Sequence, residues 1–279
     1  ALFRAMGKKF NYDLLGTTHW QHHQSVAQEW RRRNIFLAGD AAHLFAPTGG
    51  VGMNTGIADA FDLSWKIDAV LSGWGGEVLL NSYQLERRQV AWRNSQRSML
   101  NSDTIDFVMA QVPDGIEDET DEGAEKRSQL KDNVRWMARQ FNSAGAHLGH
   151  RYFRSPIIVT DGSLEPPDDL STVQQSTWPG SRAPHAWLGD NISTLDWFGD
   201  RFILFYSYDA ADKVETMLAT FKNQGVPIGS CTTDDPEILD LYERSLVLIR
   251  PDGHVAWRGD ILPDNPEILV KKVSGHDPD

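Results

Sequence analysis

The chain has 279 residues, 40% of them hydrophobic, and a formal net charge of −12. This length predicts about two domains, and the acidic balance argues against a nucleic-acid partner or an anionic membrane surface. No apolar run approaches the length of a membrane span and no signal-peptide pattern opens the sequence, so we expect a cytoplasmic protein.

The first predicted elements lead into a short apolar run. Residues 20–30 are strand-like, and the adjacent His22 and His23 would face opposite sides of such a strand, so they cannot chelate one metal together. Residues 31–34, with three consecutive arginines, favour a solvated hairpin turn over a phosphate site. Residues 35–38 are apolar and end at Gly39-Asp40.

A loop of small residues follows, and a helix is predicted from Met53. Strand, glycine-rich loop and helix are the arrangement by which α/β proteins hold an anionic cofactor. The Asp40 carboxylate could accept hydrogen bonds from sugar hydroxyls, although the glycines by themselves favour a plain strand-to-helix turn. The loop contains no GxGxxG and no GxxxxGK[ST]. His43 could contact a ligand or be a satisfied packing residue.

Three helical stretches are predicted next. Ile57, Phe61 and Trp65 form an apolar stripe that predicts a core-facing side of the first helix, which Gly73 ends. Residues 77–110 form the second helix. Residues 112–126 are acidic and indicate a mobile surface loop. Residues 127–145 form the third helix.

The composition changes in the last third of the chain. Residues 152–179 indicate an irregular linker, in which SPIIVTDG could pair as a strand. Strands are expected at 202–208, from 226, at 246–250 and at 254–257, with helices at 212–223 and 236–242. The last two strands flank Pro251-Asp252-Gly253, a turn sequence typical of a hairpin.

The segment GDAAHLFAPTGGVGMNTGIADAFDLSWK closely resembles the second FAD motif of the single-component FAD-dependent aromatic hydroxylases, the group of phenol, chlorophenol and polyketide hydroxylases. The resemblance implies FAD as cofactor, with Asp40 of the Gly39-Asp40 pair on its ribityl chain and Pro47 beside the isoalloxazine ring. It also implies that the pyrimidine edge of the flavin faces the backbone amides of Gly49, Gly50, Gly52, Met53 and Asn54. SYQLERRQVAWRN resembles a helix of the same family, in which Arg87 and Arg88 would be structural ion-pair residues.

The segments SRAPHAWL and LIRPDGHVAWR resemble the thioredoxin-like C-terminal domain of the larger family members. Cys231 is the only cysteine, which excludes an internal disulfide, a cysteine zinc cluster and dithiol chemistry. The expected fold class is α/β and α+β: part of a Rossmann-like FAD-binding hydroxylase domain in residues 1–150, a linker in 151–180, and a thioredoxin-like domain without CxxC in 181–279. We predict no metal site.

The activity implied by the resemblance is hydroxylation of a phenolic or related aromatic substrate with NADH or NADPH and molecular oxygen, through a flavin C4a-hydroperoxide. No side chain is identified as catalytic. The family's first motif, GxGxxG, is absent, so the chain looks like a C-terminal portion, and we expect it to hold FAD weakly by itself.

Two alternatives stay open. One is a related flavin monooxygenase or oxidase that acts on a non-phenolic ring. The other is a non-catalytic fragment or association module whose thioredoxin-like half mediates dimerisation, which would give a homodimer.

Overall fold

The computed structural model describes residues 2–19, 21, 23–189 and 191–276. The helices are α1 (Leu2–Ala5), α2 (Val51–Leu71), α3 (Glu77–Met109), α4 (Asp121–Met137), α5 (Ala144–Leu148), α6 (Ala211–Asn223), α7 (Pro236–Tyr242) and α8 (Pro266–Val273). The strands are β1 (Ser25–Val26), β2 (Arg31–Arg32), β3 (Ile35–Phe36), β4 (His43–Leu44), β5 (Trp187–Gly189), β6 (Ile192–Ser193), β7 (Phe202–Tyr206), β8 (Ile228–Cys231), β9 (Leu246–Ile249) and β10 (Val255–Gly259).

Two short antiparallel strand pairs precede the long helices. β2 and β3 form the hairpin predicted at the arginine run, and β1 pairs with β4. The strand expected over residues 20–30 is reduced to Ser25–Val26, and His22 lies outside the described residues. Arg31 forms an ion pair of 2.6 Å with Glu77 at the start of α3, which supports a structural role for this arginine.

Helix α2 buries a different face from the one predicted. Ile57 and Phe61 are 60% and 53% exposed, so their assignment to the core was wrong, whereas Trp65 is buried as expected. The buried face carries Asp59, Asp62 and Lys66 instead. Apolar periodicity failed here because charged partners on α3 and in the C-terminal region neutralise this face.

The acidic segment is more ordered than its composition indicated. Helix α4 begins at Asp121, inside the predicted mobile loop, and ends at Met137 rather than near Gly145. The Thr120 side chain accepts a hydrogen bond from the Gly123 amide, and two acidic residues lie in the first turn. Acidic side chains stabilise a helix N-terminus, so the charges that suggested disorder favour the start of this helix.

Residues 151–180 contain no helix or strand within the described part of the chain. They nevertheless pack against the C-terminal region, because Ile157 and Ile158 are buried and the Val159 amide donates to the Ala256 carbonyl over 2.8 Å. The SPIIVTDG segment therefore lies along β10 without forming a strand of its own.

The C-terminal region contains a four-stranded sheet with the order β10-β9-β7-β8. β7 and β8 are parallel, whereas β9 is antiparallel to both β7 and β10. Side chains alternate across this sheet: Phe202 and Leu204 face the cluster with α6 and α8, and Ile203 and Phe205 face the cluster with α7. Both faces are covered, which explains why β7 and β9 read as continuous apolar runs.

One apolar cluster continues from the C-terminal sheet into the long helices. Two tryptophans pack edge-on against Phe202: Trp65 of α2, with 6.4 Å between ring centroids, and Trp74, just after α2, with 6.1 Å. Leu79 of α3 belongs to the same buried cluster. The N-terminal helices and the C-terminal sheet therefore share a core. Overall the fold is mixed α/β.

Candidate functional site

The Gly39-Asp40 pair lies in a single 3-10 turn that packs on the second turn of α2. A Cβ atom on Gly56 would lie 3.2 Å from the Gly39 Cα, so the two glycines permit this close approach. The Gly39 amide donates to the Asp59 carboxylate over 3.2 Å. Asp40 is exposed, so its carboxylate remains available to a ligand.

The loop that carries Pro47 is held against α3. The Thr48 hydroxyl donates to the Ser98 carbonyl over 2.6 Å, and the Ser98 hydroxyl donates to the Ala46 carbonyl. Pro47 itself is exposed. Gly49 has a φ of +88°, and a Cβ atom there would lie 2.7 Å from Asn101 Nδ2, so both conformation and space favour glycine.

Helix α2 begins at Val51, two residues before the predicted start at Met53. The buried Val51 side chain anchors this first turn. The N-cap Gly50 has no side chain to accept hydrogen bonds from the first amides. Gly52 and Met53 therefore lie where helix amides lack intrahelical partners. Asn54 directs its Nδ2 to the Gly50 carbonyl over 3.0 Å, so its side chain stabilises the turn.

A buried polar network supports the site, and no sequence motif indicated it. The Asp59 carboxylate lies 2.6 Å from His43 Nε2 and accepts a hydrogen bond of 2.9 Å from Arg87 Nε. Although burial opposes ionisation, the hydrogen bond to His43 and the charge of Arg87 lower the pKa of Asp59. His43 is buried and stacks on Phe45 with 4.5 Å between ring centroids. His43 therefore has a packing and positioning role in this structure.

Arg87 has the structural ion pair that was predicted, with Asp59. Arg88 is exposed, and its Nε donates a hydrogen bond of 3.1 Å to the Ala27 carbonyl. The signal that could have revealed the network is the spacing of Asp59, Asp62 and Lys66. These residues lie three and then four positions apart and therefore share one helix face.

A second buried cluster joins α2 and α3 to the C-terminal hairpin. Lys66 Nζ lies 2.8 Å from Asp62 and 2.5 Å from Glu86. Arg250 contacts Glu86, Asp62 and Asp252 at 2.6, 3.2 and 2.5 Å. Although burial opposes ionisation, the charges of Arg250 and Lys66 lower the pKa of Glu86 to about 2. Burial dominates at Asp62 and raises its pKa to about 7.

Together, these elements form an exposed cradle suited to a flat ligand with polyhydroxyl and anionic character. The structure brings the Asp40 turn and the start of α2 together on a shared support, through Gly56 and Asp59. An exposed carboxylate can accept hydrogen bonds from hydroxyl groups, and the helix start offers amide donors and a positive dipole end. A flavin fits this donor and acceptor set.

Two family models match the chain. The FAD binding domain model matches residues 5–98, and the model for the C-terminal region of aromatic-ring hydroxylases matches residues 176–273. The first match contains every predicted cofactor residue, and the second contains the four-stranded sheet. The match to the FAD binding domain model confirms FAD as the expected cofactor.

Relatives extend the match over most of the chain. The FAD-dependent monooxygenase apdD of Emericella nidulans is 31% identical over 95% of this chain and 45% of its own length. Phenol 2-monooxygenase of a Pseudomonas species is 31% identical over 94% of this chain and 48% of its own length. The chain therefore spans about half the length of the curated relatives that it matches.

Solved structures also superpose on most of the chain. Native and K252c-bound RebC-10x superposes with a TM-score of 0.90 and 39% identity, covering 99% of this chain and 52% of that one. A ternary complex of aklavinone-11 hydroxylase with FAD and aklavinone gives a TM-score of 0.67 and 30% identity, covering 91% and 46%. None of the helices in the described part of the chain combines the length and the apolar composition that a membrane span requires.

Proposed function

We propose that this chain, a homologue of FAD-dependent phenol and polyketide hydroxylases, provides part of the flavin site of a monooxygenase that hydroxylates an aromatic ring. One observation carries the proposal: an exposed Asp40 turn and the glycine-rich start of α2 lie side by side, on the support formed by Asp59. The chemical fit to a flavin and the match to the FAD binding domain model both support it.

In this proposal each predicted residue has a specific task. The Asp40 carboxylate accepts hydrogen bonds from the ribityl hydroxyls, and Gly39 permits the turn to lie against α2. Pro47 lies beside the isoalloxazine ring. The amides facing the pyrimidine edge belong to Gly49, Gly50, Gly52, Met53 and Asn54. Amide donors and the helix dipole stabilise negative charge on a bound ligand without reorganisation.

When bound, FAD supplies electron transfer from NADH or NADPH and the activation of molecular oxygen. The overall reaction consumes one aromatic substrate, one O₂, one NAD(P)H and one proton, and yields the hydroxylated ring, water and NAD(P)⁺. The exposed face of α2, with Ile57 and Phe61, gives the site an apolar flank suited to an aromatic ring. An oxidase or monooxygenase acting on a non-phenolic ring stays open.

We also propose the domain division 1–150, 151–180 and 181–279, with a thioredoxin-like fold in the last part. The order β10-β9-β7-β8, with a parallel β7–β8 pair joined through α6, supports this fold. Burial raises the pKa of the Cys231 thiol, which is the opposite of what a redox thiol needs. We therefore assign this part a packing role. Homodimerisation through it, and a cytoplasmic location, stay predictions.

The decisive experiment combines a visible spectrum with product analysis. The purified protein is titrated with FAD and then, with FAD still present, supplied with NADH or NADPH and a panel of phenols under ¹⁸O₂. We expect the flavin absorption spectrum to change as FAD binds, and one ¹⁸O atom to enter the product. Bound flavin that oxidises NAD(P)H without substrate-dependent product formation would favour an oxidase. Absence of any bound flavin would overturn the flavin site itself.

A further inference from the structure

Two neighbouring cavities lie between the long helices and the C-terminal region, and the second reaches Asn54 and Thr55 at the start of α2. The first has a volume of about 440 Å³ and the second about 570 Å³. Leu148, His150 and Arg182 line both cavities. We call the two joined cavities the Arg182 cleft.

Arg182 is an uncompensated cation in this cleft. Within the described part of the chain, its side chain has no ion pair and no hydrogen bond, although it is half-buried. Burial alone lowers the pKa of Arg182, with no opposing contribution from a carboxylate. A half-buried guanidinium that lacks a partner is costly, and an anionic ligand would remove that cost.

The acidic residues at the cleft do not neutralise Arg182. No carboxylate is among the described residues that line the first cavity. Asp62 and Asp252 line the second cavity, but both bind the guanidinium of Arg250. The charge of Arg182 is thus available to a ligand in a protein that is otherwise strongly acidic.

Two further polar groups lie beside Arg182 and lack partners. Ser181 is among the residues that line the first cavity and is only 4% exposed, and its buried hydroxyl makes no hydrogen bond. His254 lines the second cavity, is 5% exposed and leaves its Nε2 unpaired. Tyr152 stacks on this imidazole with 4.1 Å between ring centroids, which fixes its orientation. Buried polar groups normally have partners, so these two atoms also indicate a ligand.

Most of the accessible lining surface of both cavities is apolar, although polar side chains such as Gln174 and Asn94 also line them. Leu148, Ala183 and Leu195 line the first cavity, and Phe61 and Val90 line the second. Small-molecule sites characteristically combine such walls with a few convergent polar groups. A small inorganic anion would leave these walls without contacts.

We propose that the Arg182 cleft binds an organic carboxylate, whose apolar body fills the cavities and whose carboxylate meets Arg182 and Ser181. Guanidinium groups match carboxylates in bidentate geometry. The Ser181 hydroxyl donates one further hydrogen bond, and His254, whose Nδ1 faces the Asp252 carboxylate, borders the bound ligand. Arg182 and Ser181 lie outside the proposed flavin contacts, although Asn54 and Phe61 of the flavin site also line the second cavity, so the two sites adjoin.

Isothermal titration calorimetry at pH 7 with 1-naphthoate, in comparison with the neutral 1-naphthamide, tests the proposal. We expect naphthoate to bind the wild-type protein at least about tenfold more tightly than naphthamide, because charge-assisted hydrogen bonds contribute most of the difference. Equal affinities would overturn the proposal. Competition by inorganic phosphate at an equal concentration would also overturn it, because the site would then recognise phosphate.

Two variants locate the ligand. Arg182→Met should weaken naphthoate at least about tenfold and leave naphthamide unchanged, whereas Arg201→Met removes an exposed arginine paired with Asp200 and should change neither. Ser181→Ala removes an unpartnered hydroxyl, keeps the fold, and should weaken naphthoate about threefold to tenfold. Naphthoate affinity that neither Arg182→Met nor Ser181→Ala alters would contradict the proposal. No flavin is required, so this result and the hydroxylase result are independent.

Discussion

The guanidinium of Arg250 lies in a paired geometry against the carboxylate of Glu86, with Nη1–Oε1 and Nη2–Oε2 distances of 2.6 and 3.0 Å. The two residues are 164 positions apart in sequence, and both side chains are fully buried. This contact joins the C-terminal hairpin to α3, next to the helix that carries the proposed flavin contacts. Any change that separates these residues should therefore affect both halves of the chain.

The first prediction concerns Glu86. Glu86→Gln leaves Arg250 and Lys66 with less negative charge in a buried site, and should lower the free energy of unfolding by about 3–5 kcal/mol. Urea unfolding at pH 7 measures this loss. Asp62→Asn is the matched control, and should cost much less because the pKa of Asp62 is raised to about 7 and its neutral form is already populated. Equal losses for the two variants would contradict this assignment of charge.

The pH dependence of stability provides a second prediction. The folded protein holds the Asp62 proton more tightly than the unfolded chain, since burial raises the pKa of Asp62 from 3.8 to about 7. Ionisation of Asp62 therefore destabilises the fold as pH rises from about 4 to 7. The difference in free energy of unfolding between Asp62→Asn and the wild type should therefore shift in favour of the variant as pH rises from about 4 to 7, measured by urea unfolding at several pH values. A constant difference would show that Asp62 does not titrate there.

Asp59 should behave in the opposite way. Its pKa is lowered, so its contribution to stability is present above about pH 4 and is lost as pH falls below that value. Asp59→Asn should cost about 3 kcal/mol at pH 7, because Arg87 loses a buried counter-ion. Thermal or urea unfolding checks the loss, with the exposed Asp68→Asn of the same helix as control. A loss no larger than that of the control would exclude a supporting role for Asp59.

Asp40 is predicted to act on flavin affinity without affecting stability. Asp40→Ala removes an exposed side chain and should change the free energy of unfolding by less than about 0.5 kcal/mol. It should weaken FAD binding about tenfold through the loss of charge-assisted hydrogen bonds. Quenching of flavin fluorescence measures the affinity, and Asp68→Ala should leave it unchanged. Unaltered FAD binding in Asp40→Ala would remove Asp40 from the site.

Gly49 is predicted to be sensitive for both backbone and steric reasons. Gly49→Ala places a side chain at a φ of +88° and 2.7 Å from Asn101 Nδ2, and should destabilise the fold by about 1–2 kcal/mol while weakening FAD binding. Gly162→Ala is the control, because Gly162 also has a positive φ of +76° but open space around it. The control should lose stability without losing flavin affinity. Parallel behaviour of the two variants would show that only backbone strain matters.

Local patterns determined much of the molecule. The helix predicted at residues 236–242 has those bounds in the structure, because Asp235 caps it and Pro236 begins it. The hairpin around Pro251-Asp252-Gly253 also formed as predicted. The strand-to-helix motif carried the resemblance to the FAD-dependent aromatic hydroxylases, because its residues are consecutive in the sequence.

Tertiary structure decided what local patterns could not, namely which face of α2 is buried. The sequence predicted Ile57 and Phe61 inside, but the buried face carries Asp59, Asp62 and Lys66. Burial of these charges depends on Glu86, 20 residues from Lys66, and on Arg250, 188 residues from Asp62. A charged side chain is stable inside a protein only when its partners surround it, and partners so distant in sequence meet only once the chain has folded.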